Sequence, residues 1–194
     1  MSLTYIILII VAVIALWAIM AYNKFVRLIQ QAKEAWADID VQLKRRYDLI
    51  PNLIETVKGY ASHERETFDA VTNARAKATQ MHVDASGMTA ESLKAMAGAE
   101  AGLTQALGKL LAVAEAYPDL KANTNFLELQ RELSDTENKI QAARRFYSGN
   151  VRCLAIASQS FPSNIIAKMF NFAGQSYFEL PENSAEREPV KVSF

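Results

Sequence analysis

Residues Leu3 to Tyr22 read LTYIILIIVAVIALWAIMAY, twenty consecutive positions without a charge, a glycine or a proline. A helix of that length, rising about 1.5 Å per residue, spans about 30 Å, the hydrocarbon thickness of a bilayer. The stretch is therefore predicted to cross a membrane once, and the rest of the chain must fold beside it. Tyr5 and Tyr22 stand near its two ends, where amphipathic rings favour the headgroup layer. A cleaved signal peptide is the rival reading. Against it stand the length of the run, the lack of a basic stretch before it, and Lys24 and Arg27 in place of a small-residue cleavage site.

The flanking charges orient the span. Met1 and Ser2 carry no Lys or Arg, whereas Lys24, Arg27 and Lys33 follow it. Under the positive-inside rule the bulk of the protein lies on the cytoplasmic side of the plasma (inner) membrane. The same three residues can touch anionic headgroups, worth about 1 kcal/mol each near the surface. Ala12, Ala15, Ala18 and Ala21 invite close helix contact, but a spacing of three drifts around the helix and is a weak oligomerisation signal.

Beyond the anchor the periodicity is helical throughout. Phe25, Leu28, Ala32, Trp36, Ile39, Leu43 and Tyr47 recur at three and four, so the anchor is predicted to continue into this helix. Pro51, which lacks an N–H and clashes with the preceding turn, is expected to kink it or start a new one. A second run covers Leu53, Ile54, Val57, Ala61, Phe68, Val71, Ala74 and Ala78, fading into the polar connection His82–Met88. Thr89 is the expected N-cap of a third helix, with Glu91 in its first turn and a stripe through Leu93, Ala97, Ala101, Leu107, Leu110, Leu111 and Ala114. That helix stops at Tyr117-Pro118. Asn125 and Glu128 resemble a capping box for the fourth, which carries Phe126, Leu129, Leu133, Ile140, Ala143, Tyr147, Val151 and Leu154 and ends before Phe161-Pro162. A short helix over Asn164 to Phe172 follows.

The predicted fold is all-α. An N-terminal transmembrane helix (1–23) continues into an antiparallel bundle of four main helices and a short C-terminal one (24–175), with a loose acidic tail over 176–194. A kinked rod, with the first two helices nearly collinear through Pro51, is the alternative. Scarce Gly (7) and Pro (5) suit long helices. Lys+Arg and Asp+Glu balance at 21 each, so no net field gathers nucleic acid, and none is expected as a partner.

Catalytic constellations are hard to find. A di-iron bundle needs Glu-x-x-His pairs, yet Tyr60 and Thr79 stand three residues before His63 and His82. His63, flanked by Glu64 and Glu66, reads better as an exposed His on a charged face than as a metal ligand. Cys153 has no second cysteine to pair with and lies in an apolar stretch, where a Cys behaves as a small hydrophobe. No P-loop, Gly-x-Gly-x-x-Gly or Gly-x-Ser-x-Gly occurs. No enzyme activity, cofactor or metal is expected.

Two polar clusters remain, around Lys44–Asn52 and around Glu137–Asn150. Arg46, Glu137, Arg144 and Asn150 lie on or beside the apolar stripes. With Asp48 and Asn52 they form the candidate site. If buried they must pair, because an isolated buried charge is too expensive. A polar network fixing helix register is favoured over a ligand site; Arg45 and Arg145 read as solvated.

The stretch Tyr22-Asn23, then Glu34–Leu43, Arg45–Leu53 and Val57–Tyr60, resembles the LemA family. So do Tyr117–Ala122, Glu137–Ile140, Phe161–Asn164 and Ile166-Ala167, in order along nearly the whole chain. The resemblance implies a helical bundle on an N-terminal anchor with no established enzyme activity. It implies ties to a membrane-bound zinc metalloprotease and, through a relative used in building magnetosome membranes, a scaffold role. Some relatives carry a lipobox cysteine, which would place them outside the cytoplasm; this chain carries none. The expected partners are the lipid bilayer and further copies of the chain. An adaptor role toward another membrane protein, such as a protease, is the alternative, working through a turn at Lys44–Pro51.

Overall fold

A computed structural model describes residues 3–83 and 89–172, all of its regular structure helical. The expected acidic tail (176–194), the residues 84–88 of the polar connection and the first two residues lie outside the described residues. The first helix, α1 (Leu3–Lys58), has 56 residues. Leu3 to Leu16 are exposed, and this is the one candidate membrane span among the described residues. From Ala21 on, α1 buries a single stripe of Phe25, Ala32, Trp36, Ile39, Leu43, Tyr47, Ile50, Ile54 and Val57. Those spacings of three and four hold one face toward the core along the whole bundle.

Pro51 starts no new helix: α1 runs on through it, as the rod alternative expects. A proline deprives the carbonyl four residues earlier of its helical donor. That carbonyl belongs to Tyr47, and the Arg75 side chain donates to it from Nε at 2.8 Å. A residue on the next helix thus replaces the lost bond, while the Pro51 ring faces solvent. The expected second run is consequently divided. Leu53, Ile54 and Val57 finish α1, and Phe68, Val71 and Ala78 are the buried positions of α2 (Arg65–Gln80) after a tight connection.

Thr89 caps α3 (Ala90–Glu115) as expected, in a reciprocal box with Ser92. A single turn, α4 (Pro118–Lys121), takes Pro118 at its start, where the missing N–H costs nothing. The long α5 (Thr124–Gln159) is capped by Asn123, whose side chain accepts from the Phe126 N–H at 3.0 Å, so Asn125 and Glu128 are not its cap. The Asn123 amide also donates to the Tyr60 hydroxyl at 2.9 Å, tying the start of α5 to the α1–α2 connection. The short α6 (Ser163–Met169) follows.

The main helices alternate in direction, with α1 packed most extensively on α5 and α2 on α3. Trp36 meets Tyr147 at 5.4 Å between ring centroids, while Arg46, ten positions further up α1, meets Glu137, ten positions back along α5. That opposite progression makes the pair antiparallel. The Trp36 indole donates to the Val83 carbonyl at 3.1 Å, fixing where the chain leaves α2. One core runs through α1 to α5, from Ala35 to Val151. A second, smaller core lies beneath it toward the membrane, where only α1, α5 and α6 remain: Ala21, Phe25, Leu154, Ala157, Ile166 and Ala167.

Candidate functional site

Among the described residues three polar or charged side chains are buried, Arg46, Glu100 and Thr136. Two of them form one assembly. Arg46, 3% exposed, carries its guanidinium into the core from α1 and places Nη1 3.2 Å from Glu100 Oε2 and 3.1 Å from Glu137 Oε2. Its Nη2 donates to Thr104 Oγ1 at 2.7 Å, and that hydroxyl donates to the Glu100 carbonyl one turn back at 3.1 Å. The other Glu100 oxygen accepts a short hydrogen bond from the Tyr47 hydroxyl. One arginine thereby gathers carboxylates from α3 and α5 at a single level of α1.

Burial pushes the Tyr47 phenol well above its ordinary value. The negative charge of Glu100 and its hydrogen bond add to this, and Arg46 and Arg144 partly offset it. Burial alone raises Tyr147, on the facing helix, to about 12.

The candidate residues divide. Arg46 and Glu137 are brought together, and Arg144 stands close enough for its charge to act on Tyr47. Asn150 is half-buried with no acceptor for its Nδ2. Asp48 and Asn52 are exposed and stand apart from the network; the Asn52 carbonyl accepts from Thr56 Oγ1 one turn on. Arg45 and Arg145 are solvated, as expected. Cys153 corrects its expectation, since it is exposed rather than packed.

Glu100, Thr104 and the Tyr47 hydroxyl were not among the expected site residues. Glu100 had a signal: it falls three positions after Ala97 and three before Leu103, on the spacing of the buried stripe. The expected stripe ran instead through Ala101, which is exposed.

Chemically the assembly is closed. Both Glu100 oxygens are engaged, and the two Arg46 Nη atoms meet three acceptors while its buried Nε meets none; with both side chains 3% exposed, no reacting atom can reach either without dismantling the core. Glu137, 34% exposed on its side chain, and Thr104, which is exposed, open to solvent at the edges of the assembly. Among the described residues no group of three or more His, Cys, Asp or Glu is placed to hold a metal ion. An open groove of about 300 Å³ lies beside the network, lined by Asp40, Lys44, Tyr47, Asp48, Arg75, Thr79 and His82. In it His82 Nε2 lies 2.8 Å from Asp40 Oδ1.

This geometry accompanies a clear kinship. The sequence profile of the LemA family matches residues 35–194, most of the chain. The chain belongs to the LemA family. Protein LemA of Metamycoplasma hominis is 26% identical over 171 residues, covering 88% of this chain and 74% of that protein. Magnetosome protein MamQ of Magnetospirillum gryphiswaldense is 25% identical over 189 residues, 89% of this chain and 69% of its own length. A MamQ of Paramagnetospirillum magneticum is 26% identical over the same span. The LemA match begins at Ala35, where the larger core begins, so the Arg46 network lies wholly inside the family's region.

Proposed function

We propose that this LemA-family chain is a membrane-anchored helical scaffold that associates with copies of itself. It holds its bundle on the cytoplasmic side of the plasma membrane and has no catalytic activity of its own. The observation that carries this reading is the unbroken α1, which serves as both membrane span and central element of the bundle. A single helix with no intervening linker gives the bundle a fixed attitude to the bilayer, which suits an assembly element. The buried Arg46–Glu100 pair supports a structural part, because a reacting centre needs an approach to substrate. Val41 and Phe146, large apolar side chains exposed on the bundle, offer contact surface to another copy.

The mass of the full-length protein in detergent, beside a chain starting at Asn23, tests this. A discrete oligomer that falls apart without the anchor supports assembly through the span. An oligomer that survives places the contacts on the bundle. A monomer in both cases contradicts self-association. A second reading, an adaptor that recruits another membrane protein such as a protease, draws on the polar groove of Asp40, Lys44, Asp48, Arg75 and His82. That segment of α1 is helix rather than the expected turn. Crosslinking in membranes that recovers no heterologous protein through this groove counts against the adaptor.

A further inference from the structure

The end of the molecule nearest the anchor clusters exposed apolar side chains that are scattered singly elsewhere on the bundle. There α6 packs its Ile166 and Ala167 against Ala21 and Phe25 of α1 and Leu154 and Ala157 of α5. Tyr22 meets Phe170 at 4.8 Å and Phe172 at 5.3 Å between ring centroids, and Phe172 stacks on Phe25 at 5.1 Å. The Ser163 hydroxyl, beside the Ala157 and Ser160 carbonyls at 2.6 and 2.9 Å, closes the corner between α5 and α6. This corner is therefore fixed to α1 rather than hanging beside it.

Its depth follows from its partners. Trp17 and Ala18 also pack on this small core. Trp17 lies five residues before Tyr22, about 7.5 Å further along the helix into the apolar run. The corner thus reaches below the level at which α1 meets the headgroups. Yet its outer side chains are large and uncovered: Phe161 is 81% exposed and Met169 68%, with Ile165, Phe170 and Ile156 also exposed. Water would disfavour such a cluster, whereas an interface welcomes an apolar face with basic residues at its edge. Two lysines supply that edge. Lys168 is exposed on α6, and Lys24 borders a groove with Trp17, Met20, Phe25, Pro162 and Ser163.

We propose that the α5–α6 corner is a second membrane contact, lying in the bilayer interface beside α1 with Phe161, Ile165 and Met169 among the acyl chains and Lys24 and Lys168 at anionic headgroups. The occupant is lipid because the surface is continuous with the lipid-exposed flank of the anchor. The inference rests on α1 spanning the membrane. It goes further, giving the bundle two points of attachment and hence a fixed rotation about α1.

The test uses the full-length protein with Cys153→Ser, in vesicles of phosphatidylcholine and phosphatidylglycerol. Single nitroxide labels are placed through Phe161→Cys, Ile165→Cys and Met169→Cys, all exposed sites that leave the small core intact. Ile9→Cys in the span and Lys109→Cys on the outside of α3 serve as references. Power saturation should give all three corner labels a severalfold higher oxygen-to-nickel-chelate accessibility ratio than Lys109→Cys, as at Ile9→Cys. Corner labels that group with Lys109→Cys while Ile9→Cys stays oxygen-favoured overturn the proposal and leave the anchor standing. Nickel access at Ile9→Cys as well overturns the spanning reading and the proposal together. Spin–spin broadening at Phe161→Cys that diminishes on dilution with unlabelled protein assigns the surface to a second copy and also overturns it.

Discussion

The two cores of this protein solve the same packing problem with opposite chemistry. The larger one joins α1, α2, α3, α4 and α5 and encloses a guanidinium, a carboxylate and a phenol. The smaller one joins α1, α5 and α6 with aromatic and small aliphatic residues. Their exteriors are inverted as well: α2, on the larger core, shows mostly charged and polar residues, while the corner around α6 shows Phe161, Ile165, Met169 and Phe170. Apolar stripes alone can slide past one another at small cost, whereas a charge that finds its partner at only one level cannot. The polar network ties α1, α3 and α5 together at one level, as a device for register would. At the anchor end, ring contacts and a short buried corner suffice, and under the proposed second membrane contact lipid would take the place of a charged surface.

Removing one member of the network should have the largest effect. Glu100→Ala leaves Arg46 buried beside Glu137 alone, and breaking a buried ion pair costs about 3–5 kcal/mol. Urea unfolding of the protein in detergent, followed by circular dichroism, would read this as a large fall in the midpoint. A smaller penalty, about 1–3 kcal/mol, is expected of Tyr47→Phe, which strips a buried Glu100 oxygen of its donor. The same titration at several pH values sharpens the contrast. Tyr47 and Tyr147 are held protonated in the folded chain above the ordinary phenol value of 10.0, Tyr147 up to about 12. Both contributions are therefore complete below pH 10; that of Tyr147 is lost as pH climbs through 10 toward 12, and that of Tyr47 starts to fall in the same window. Stability should fall across that window, and less steeply in Tyr47→Phe. The smallest effect belongs to Glu137→Gln, whose partly exposed carboxylate is worth about 0–1 kcal/mol. A loss as large as that of Glu100→Ala would mean that α5 rather than α3 carries the buried charge.

The amphipathic stripes made the architecture legible, because burial repeats along each helix whatever the neighbours are. Arg46 and Glu137 were legible for the same reason, as charges on those stripes. Glu100 was not, because in an alanine-rich helix Ala101 serves an apolar pattern as well as its neighbour does. Pro51 left the choice between a new helix and a rod open because its rule is local, and the compensating Arg75 lies 24 positions on, on another helix. Asn123 was passed over for Asn125 since several polar residues in a row can each cap a helix; the Phe126 N–H donates to Asn123. Cys153 shared its stretch with Val151 and Leu154, but two positions from Val151 is across the helix, facing outward.

The central claim is that α1 runs as one rod from the membrane through the bundle. A pulsed dipolar distance between nitroxides on Lys33→Cys and Lys58→Cys, in a Cys153→Ser chain, tests it directly. Both sites are exposed, and Pro51 lies between them. A continuous helix places them about 38 Å apart, at 1.5 Å for each of the 25 intervening steps, in a narrow distribution. A distance well below 30 Å, or a broad spread, would mean that the chain turns at Pro51, and the rigid link between membrane and bundle would be lost with it.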